Sequence, residues 1–572
     1  MKKYIVSLCL SSLMLGGCNS LDLNPLSSGS SESWYSNETE VEMSLNRLFN
    51  IQFWESIQFD DGSYMHKDSW TDNWTERTTI QAPIAGTLNS QSPTVTNLWN
   101  TCYRCIAASN LLIEKLPNAT MSDEKKLRAE ANARFARAGQ YALLIFYFGD
   151  VPFYTENLTQ DAFYSLSRTD KATVLKQIYE DFDFAATHLP VSYGSSENKY
   201  ATQGAAYAMK ARIALWMHDY ATARDAAKAC MDMNVYQLHD NYGDYFLPGT
   251  ANSSPETIFS NPRSLEDKVG AWYSPKRHVM RLAGGWDNGN ASWDLLNAYE
   301  CTDGLPIDES PLYDPHNPFK NRDPRCTMTI QEFGKEMPGQ GFIFQPHPDS
   351  LQTLNVKTGQ MVSNRDSRGV DQYASYNGLI FCKGSNTNWI SDFWENENVV
   401  MRYADVLLMY AEAKIELNEI DQSVLDAMNQ VRARAYGVPA SAVSDYPAVT
   451  ETNQKKLRQI VRRERRVEFA FEGSRYEDLI RWKLASKALN QPIYGMLLNL
   501  DNMRERIVNP GRWFFPEVCP IDEDGLSDFS GMYQRGLVEL LVPKTFDDRQ
   551  YLFPIPSTEL LINPNLTQNP GW

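Results

Sequence analysis

Hydrophobic residues recur with helical spacing in two stretches of the chain and lose that spacing between them. The first stretch covers about residues 38–231 and the second about residues 400–487. Apolar residues at every third or fourth position predict amphipathic helices that pack on one another. Between residues 234 and 399, called here the loop-rich region, Gly, Pro, Asn, Asp and aromatic residues dominate. Structureless connections inside domains are normally short, so a region of this length is expected to form a ligand-binding site or a partner surface.

Two segments have the pattern of helix–turn–helix repeats. Residues 205–217 form an alanine-rich predicted helix that is followed by a tight turn and a return helix, and residues 403–417 begin a second such pair. Small alanines let paired helices approach closely, while larger apolar side chains fill the gaps between pairs. One pair cannot bury its apolar face alone, so several pairs must stack. The sequence therefore predicts an all-α fold with a stacked helical scaffold, a long irregular insertion and few short strands.

The N-terminus has the pattern of a secreted lipoprotein. Two lysines precede an apolar stretch over residues 4–15, and the sequence LGGC occupies residues 15–18. The apolar stretch is too short to cross a bilayer as a helix. LGGC resembles the bacterial lipobox, in which a signal peptidase cleaves before an acylated cysteine. We therefore expect residues 1–17 to be removed and Cys18 to carry the lipid; an ordinary secretory cleavage site with an incidental cysteine is the alternative.

Downstream of the lipobox, the sequence has no pattern that predicts a membrane span. No later stretch reaches the roughly 18 apolar residues that a transmembrane helix requires. Anchoring is therefore expected through lipid alone, with residues 18–33 as a polar tether. Residues 34–572 are expected to form a single domain, which ends in an extended C-terminal segment over residues 488–572.

Charge and composition disfavour two classes of protein. Lys and Arg number 54 and Asp and Glu number 71, which gives a formal net charge of −17. An acidic surface repels phosphate groups, so we expect no nucleic-acid partner. Hydrophobic residues make up 42% of the chain, which disfavours global disorder. Aromatic residues reach 12%, and this excess must be buried or used for binding.

Motifs for catalysis, cofactors and metals are missing from the sequence. The seven histidines form no HExxH pair, and there is no GxSxG elbow, no phosphate-binding GxxxxGK[ST] loop and no GxGxxG after a strand. Cys102 and Cys105 have CxxC spacing, but they lie on a predicted helix without a second pair, so two small packed side chains explain them better than zinc or redox chemistry. We expect no cofactor, no metal and no enzyme activity. A glycoside hydrolase, which needs only two carboxylates, is the alternative that no motif excludes.

Characteristic motifs follow one another along nearly the whole chain. After the lipobox come LDLNP, FYFGDVP, YEDFDFAATHLP, ATQGAAYAMKARIALW, NRDPR, RYADVLLMYAEAKIEL, RRERRVEFAFEGSRYEDLIRWK and LFPIPSTELLINPNLTQNPGW. Together they resemble the SusD/RagB family, the cell-surface glycan-binding lipoproteins of Bacteroidetes. The resemblance implies eight helices in four tetratricopeptide-like pairs that carry ligand-binding loops. It also implies a SusC-like, TonB-dependent outer-membrane barrel as partner.

The function that this resemblance implies is capture of an oligosaccharide or polysaccharide ligand and its delivery to the barrel, without chemistry. The protein would be anchored in the outer membrane by the lipid on Cys18 and would face the cell exterior. Two alternatives stay open: capture of peptides, as in RagB-like members, and a structural scaffold for an envelope complex that binds no ligand.

Two charged motifs are interpreted as scaffold. In residues 462–472 arginines alternate with glutamates at every fourth position, which predicts a salt-bridged helix with an aromatic underside and not a nucleic-acid patch. The NRDPR motif at residues 321–325 is expected to fix a loop by ion pairs and hydrogen bonds.

Candidate glycan contacts combine aromatic rings with short polar side chains. Sugars present flat C–H faces that stack on such rings, and hydroxyls that pair with carboxylate, amide or guanidinium groups. Two windows in irregular sequence, residues 64–77 and 272–301, have both features, and burial in a core is the competing interpretation for each aromatic residue. The predicted carbohydrate-binding residues are Trp70, Asp72, Asn73, Trp74, Arg77, Trp272, Tyr273, Trp286, Trp293, Cys301 and Arg368.

Overall fold

The computed structural model describes most of the chain beyond the predicted tether. The described residues are 34–54, 64–77, 80–194, 200–266, 268–269 and 274–572. The lipobox with Cys18, the tether, Trp272 and Tyr273 lie outside the described residues. Within these ranges, none of the helices combines the length and the apolar character that crossing a bilayer would require.

Long α-helices occupy the two stretches in which apolar residues have a helical period, so the predicted all-α class is confirmed. They are α1 (Glu38–Leu48), α2 (Pro93–Lys115), α3 (Asp123–Phe148), α4 (Lys171–His188), α5 (Gln203–Trp216), α6 (Tyr220–Asp232), α7 (Tyr403–Glu416), α8 (Gln422–Ala435), α9 (Gln454–Glu468) and α10 (Arg475–Arg481). Shorter helices are Ala82–Ala85, Gln160–Phe163, Trp293–Ala298, Arg325–Thr329, Ala485–Ala488, Leu500–Met503, Ser530–Gln534 and Ser557–Ile562.

Helices α2 to α8 stack in the order in which they occur along the chain. Each packs against the next, and α6 also packs against α7 although the loop-rich region separates them in sequence. Alanines such as Ala205, Ala208 and Ala211 are buried on α5, which lets neighbouring backbones approach closely. Their grouping into four tetratricopeptide-like pairs stays a prediction.

Short strands pair in twos, as expected for a fold with little sheet. The antiparallel pairs are β1 (Trp74–Glu76) with β5 (Gly289–Ala291), β2 (Val151–Pro152) with β3 (Arg168–Thr169), β4 (Thr257–Asn261) with β8 (Asn398–Arg402), β6 (Gln352–Asn355) with β7 (Gln360–Ser363), and β9 (Ile493–Gly495) with β10 (Glu539–Val542). The β4–β8 pair places the beginning of the loop-rich region beside its end.

Two large hydrophobic cores hold the molecule together. One lies between the stacked helices. The other combines the loop-rich region with residues 467–538 and contains Trp293, Trp389, Trp394 and Phe514. The loop-rich region is therefore a packed unit, and much of its aromatic content is buried.

Buried ion pairs join the loop-rich region to the helices. Glu468 at the end of α9 is fully buried and accepts hydrogen bonds from Arg325, Arg402 and Arg434. Arg325 of the NRDPR motif also contacts Asp323 at 2.7 Å, which confirms that ion pairs fix this loop. The expectation that residues of α9 form salt bridges with one another was wrong. The glutamates of residues 462–472 pair with cations from other segments, because their side chains point into the protein and away from solvent.

Candidate functional site

Trp70 of the first aromatic window is a core residue. It ends the 3-10 helix Tyr64–Trp70 and is only 1% exposed. Its ring packs edge-on against Tyr476 at 5.3 Å and lies 6.3 Å from the ring of Phe553. The indole therefore offers no accessible face to a sugar in this structure.

Asp72 and Asn73 link the first window to two helices. Asp72 contacts Arg475 of α10 at 2.7 Å and Arg466 of α9 at 3.0 Å, and Asn73 accepts a hydrogen bond from Arg466 Nε. Burial alone would raise the pKa of Asp72, but the two guanidinium groups hold it well below its usual range. Both polar groups are engaged inside the protein, so they position the window and do not present it to solvent.

Trp74 and Arg77 end the first window in different environments. Trp74 on β1 is buried against His278 and Phe471. A Cβ at Gly289 of the paired strand β5 would lie 2.6 Å from the Trp74 ring, so close packing here requires glycine. Arg77 is partly exposed and donates to the backbone carbonyl oxygens of Tyr373 and Trp286.

The second window also divides into buried and exposed residues. Trp286 is 42% exposed, which makes it an accessible indole beside Arg77. Trp293 is 2% exposed, donates to the carbonyl oxygen of Asn377 at 2.7 Å and packs against Phe515. Cys301 is fully buried and unbridged, and burial raises the pKa of its thiol. Among the described candidates of this window, Trp286 alone can stack on a ligand.

Arg368 and Arg77 lie beside two tyrosines, Tyr373 and Tyr376, that the sequence analysis did not identify. Its guanidinium is 5.1 Å from the Tyr376 ring, while Arg77 lies 5.6 Å from the Tyr373 ring and 5.7 Å from the Tyr376 ring. Tyr373 is 49% exposed. Both tyrosines belong to DQYASY, a segment with the same mixture of aromatic and short polar residues as the two windows. Applying the same criterion to residues 371–376 would have identified them.

A cleft of about 80 Å³ opens beside Arg77 and Tyr376. Its walls include Glu76, Arg77, Asp287, Asn290, Tyr376 and Leu498. The buried oxygens Glu76 Oε2, Asn288 Oδ1 and Asn290 Oδ1 accept no hydrogen bond within the described part of the chain. Burial raises the pKa of Asp287 to about 6 against the lowering effect of Asn290 and Arg77. Carboxylate and amide side chains therefore line the cleft next to exposed rings, a mixture that suits a ligand rich in hydroxyl groups.

A larger cavity of about 140 Å³ lies among the helices and has a different character. Trp54, Ile213 and Trp216 contribute to its walls. Its charged groups already pair with one another: Arg212 contacts Asp405 at 2.7 Å. It lies apart from the exposed rings of the cleft. Among the described residues, no group of three or more His, Cys, Asp or Glu side chains is placed to hold a metal ion.

Comparisons with known sequences match most of the chain. A family model described as the SusD family matches residues 255–572, and one described as "starch-binding associating with outer membrane" matches residues 30–215. SusD-like protein P25 from Formosa agariphila is 25% identical over 473 residues, which cover 79% of this chain and 84% of that protein.

Solved structures show the same fold. A SusD-like carbohydrate binding protein from Bacteroides fragilis is 29% identical with a TM-score of 0.75, and the match covers 93% of this chain and 99% of that chain. A laminarin binding SusD-like protein is 20% identical with a TM-score of 0.61, and the match covers 94% of this chain and 100% of that chain. The second likeness shows the fold alone.

Proposed function

Because the chain belongs to the SusD family, we propose that it captures oligosaccharides outside the cell and delivers them to a SusC-like, TonB-dependent outer-membrane barrel. The family and the B. fragilis relative, named as carbohydrate binding, support a glycan as ligand. The observation that carries the proposal is the exposed Trp286 beside the acceptor-lined cleft. The barrel partner comes from the family resemblance.

Binding would combine stacking with hydrogen bonds. Trp286 and Tyr373 are both exposed, and the Trp286 indole would stack on the C–H face of a sugar ring. Polar side chains that line the cleft, among them Glu76, Asn288 and Asn290, would form hydrogen bonds with hydroxyl groups that enter it. Neither contribution makes or breaks a covalent bond, so the proposed role is capture. Tethering to the membrane raises the effective concentration of binding sites, so that modest affinity suffices.

Substitution of Trp286 tests the location of this site. Trp286→Ala should weaken binding of a glycan identified on an array by about 1 to 3 kcal/mol, or roughly 5- to 150-fold, because a stacking face is lost. Isothermal titration measures the affinity and thermal unfolding checks the fold. Trp216→Ala is the matched control, since Trp216 lines the interhelical cavity. If Trp216→Ala abolishes binding and Trp286→Ala leaves it intact, the ligand binds between the helices instead.

Incubation with the bound glycan tests the absence of chemistry. Purified protein should release no reducing ends over a day. Turnover that one Asp or Glu substitution removes would identify a hydrolase. Binding of peptides without any glycan on the same array would favour the RagB-like alternative, and binding of neither would favour the structural scaffold.

We further propose that the lipid on Cys18 anchors the mature chain in the outer membrane, facing the exterior. The LGGC sequence at residues 15–18 and the description of the matched N-terminal family model support this. Cys18→Ala leaves no thiol to acylate, so the protein should lose its membrane association. Fractionation of cells that lack the barrel partner measures this, and a variant that still sediments with the outer membrane contradicts the anchor.

A further inference from the structure

Arginine and tyrosine side chains alternate in a row that reaches the cleft through Arg77 and Tyr376, which line it. The Arg281 guanidinium lies 5.6 Å from the Tyr373 ring, and Arg77 lies 5.6 Å from the same ring and 5.7 Å from Tyr376. Arg368 follows at 5.1 Å from Tyr376. These five side chains, called here the Arg–Tyr ladder, place three cations beside the proposed sugar-binding cleft.

One end of the ladder is neutralised by the protein itself. Arg281 contacts Asp371 at 3.5 Å, and Asp371 also accepts hydrogen bonds from Arg365. Burial would raise the pKa of Asp371, but these two arginines and the Tyr373 amide lower it. This carboxylate is therefore shared between two cations and cannot compensate the rest of the ladder.

The other two arginines lack a direct carboxylate contact in the described part of the chain, although Arg77 lowers the pKa of the nearby Asp287. Within the described residues, neither Arg77 nor Arg368 forms an ion pair. Their guanidinium groups donate to backbone carbonyl oxygens instead: Arg77 to Tyr373 and Trp286, and Arg368 to Leu498. Such unpaired cations contrast with the rest of a chain whose net charge is −17.

Arg368 is the less compensated of the two. Its Nε and Nη1 atoms are shielded from solvent and donate to no acceptor among the described residues. Burial lowers its pKa, and only Tyr376 acts in the opposite direction. A guanidinium group stays protonated in proteins, so the positive charge persists. Enclosing a cation without an anionic acceptor is costly, and a ligand that supplies this acceptor would gain affinity.

Resting on the proposed function of the cleft, we infer that its ligand is an anionic oligosaccharide, whose carboxylate or sulfate groups pair with Arg77 and Arg368. The planar fork of guanidinium donors fits both groups, because each presents adjacent oxygens for paired hydrogen bonds. A neutral sugar can stack on Trp286 but leaves both cations unpaired. The two arginines therefore select for charge, while the aromatic rings recognise the sugar ring.

Matched glycan pairs test this inference. One pair is an oligogalacturonide and its fully methyl-esterified form, and the other is a sulfated galactan oligosaccharide and its desulfated form. We expect at least one anionic member to bind about tenfold or more tightly than its neutral counterpart at low salt. The two pairs distinguish carboxylate from sulfate. The preference should shrink as NaCl rises from 20 to 500 mM, because salt screens the attraction.

Arg368→Gln should reduce the anionic preference at least about fivefold, whereas Arg368→Lys should retain part of the preference. Arg224→Gln on α6 removes the same charge from the helical stack and is the control. If Arg368→Gln does not fold, the salt dependence of the native chain decides instead. Neutral and anionic members that bind equally, or a preference that survives both Arg368→Gln and Arg77→Gln, overturn the inference and leave the proposed function standing. A native chain that binds no glycan on a broad array overturns the proposed function itself.

Discussion

The helical stack and the loop-rich region bury tryptophan in different ways. In the stack, Trp99 lies on the buried face of a periodic helix, so its apolar neighbours in sequence already indicate burial. In the loop-rich region Trp286 and Trp293 lie seven positions apart, yet one is 42% and the other 2% exposed. No period distinguishes them, because their neighbours come from distant segments: Phe514 and Phe515 pack on Trp293, and Arg77 contacts Trp286. An aromatic cluster in irregular sequence therefore indicates either a second core or a binding surface.

The two regions also differ in how they meet. Helices join helices mainly through apolar side chains and alanines, with ion pairs such as Arg212–Asp405 among them. The loop-rich region meets the end of α9 through a cluster of buried ion pairs around Glu468. Removal of a buried carboxylate that compensates several cations takes one anionic partner from each of them in a dry environment. We therefore expect substitutions at this contact to lower stability more than any other substitution considered below.

Glu468→Gln is expected to have the largest effect. Arg325, Arg402 and Arg434 would each lose a charged partner in a dry environment, so the free energy of unfolding should fall by about 5 kcal/mol. Urea denaturation measures the loss. Glu523→Gln, whose exposed carboxylate pairs with Lys455, should change stability by no more than about 0.5 kcal/mol. Equal effects of both substitutions would show that the buried network does not hold the regions together.

The stability difference between the Trp286 and Trp293 alanine variants should be the next largest effect. Trp293→Ala should lower the free energy of unfolding by about 3 to 4 kcal/mol, because it leaves a cavity between Phe514 and Phe515. Trp286→Ala should leave stability within about 0.5 kcal/mol. Denaturation of both variants under one set of conditions checks this. A loss of stability at Trp286 equal to that at Trp293 would assign both rings to the core.

Asp366 in the loop-rich region and Asp405 in the helical stack should contribute to stability with opposite pH dependences. An unfolded aspartate has a pKa of about 3.9. Burial and the nearby Asp287 raise the pKa of Asp366 to about 8, so this residue destabilises the fold progressively as pH rises from about 4 to 8. Asp366→Asn should therefore stabilise the protein at pH 9 and lose that advantage towards pH 4.

Asp405 of α7 provides the opposite case. Burial would raise its pKa, but Arg465 and Arg212 hold it below the usual range, so its contribution is present above about pH 4 and is lost as the pH falls further. Asp405→Asn should destabilise the protein at pH 7 and approach the native stability in acid. Urea unfolding at several pH values measures both variants. Parallel curves for the two would contradict the assignment of these charges.

The sequence predicts the helical part of the fold well, because period and capping act locally. The helix around residues 205–217, for example, is observed as α5 over Gln203–Trp216. The candidate site is predicted only in outline. Arg77, Trp286 and Arg368 come together as exposed or partly exposed groups, but Trp70, Trp74 and Trp293 are buried. Their burial depends on partners hundreds of positions away, such as Tyr476 and Phe514, which no local pattern encodes.

The pairing of β4 with β8 has a consequence for how such proteins diversify. The chain enters and leaves the loop-rich region through adjacent strands, so insertions or deletions between them need not alter the distance that the scaffold spans. Arg325 cannot vary freely, because its ion pairs with Glu464 and Glu468 join the loop-rich region to α9. Tyr373 and the other exposed positions at the rim carry no such obligation. New ligand specificities can therefore evolve there by substitution, while the architecture that supports them is retained.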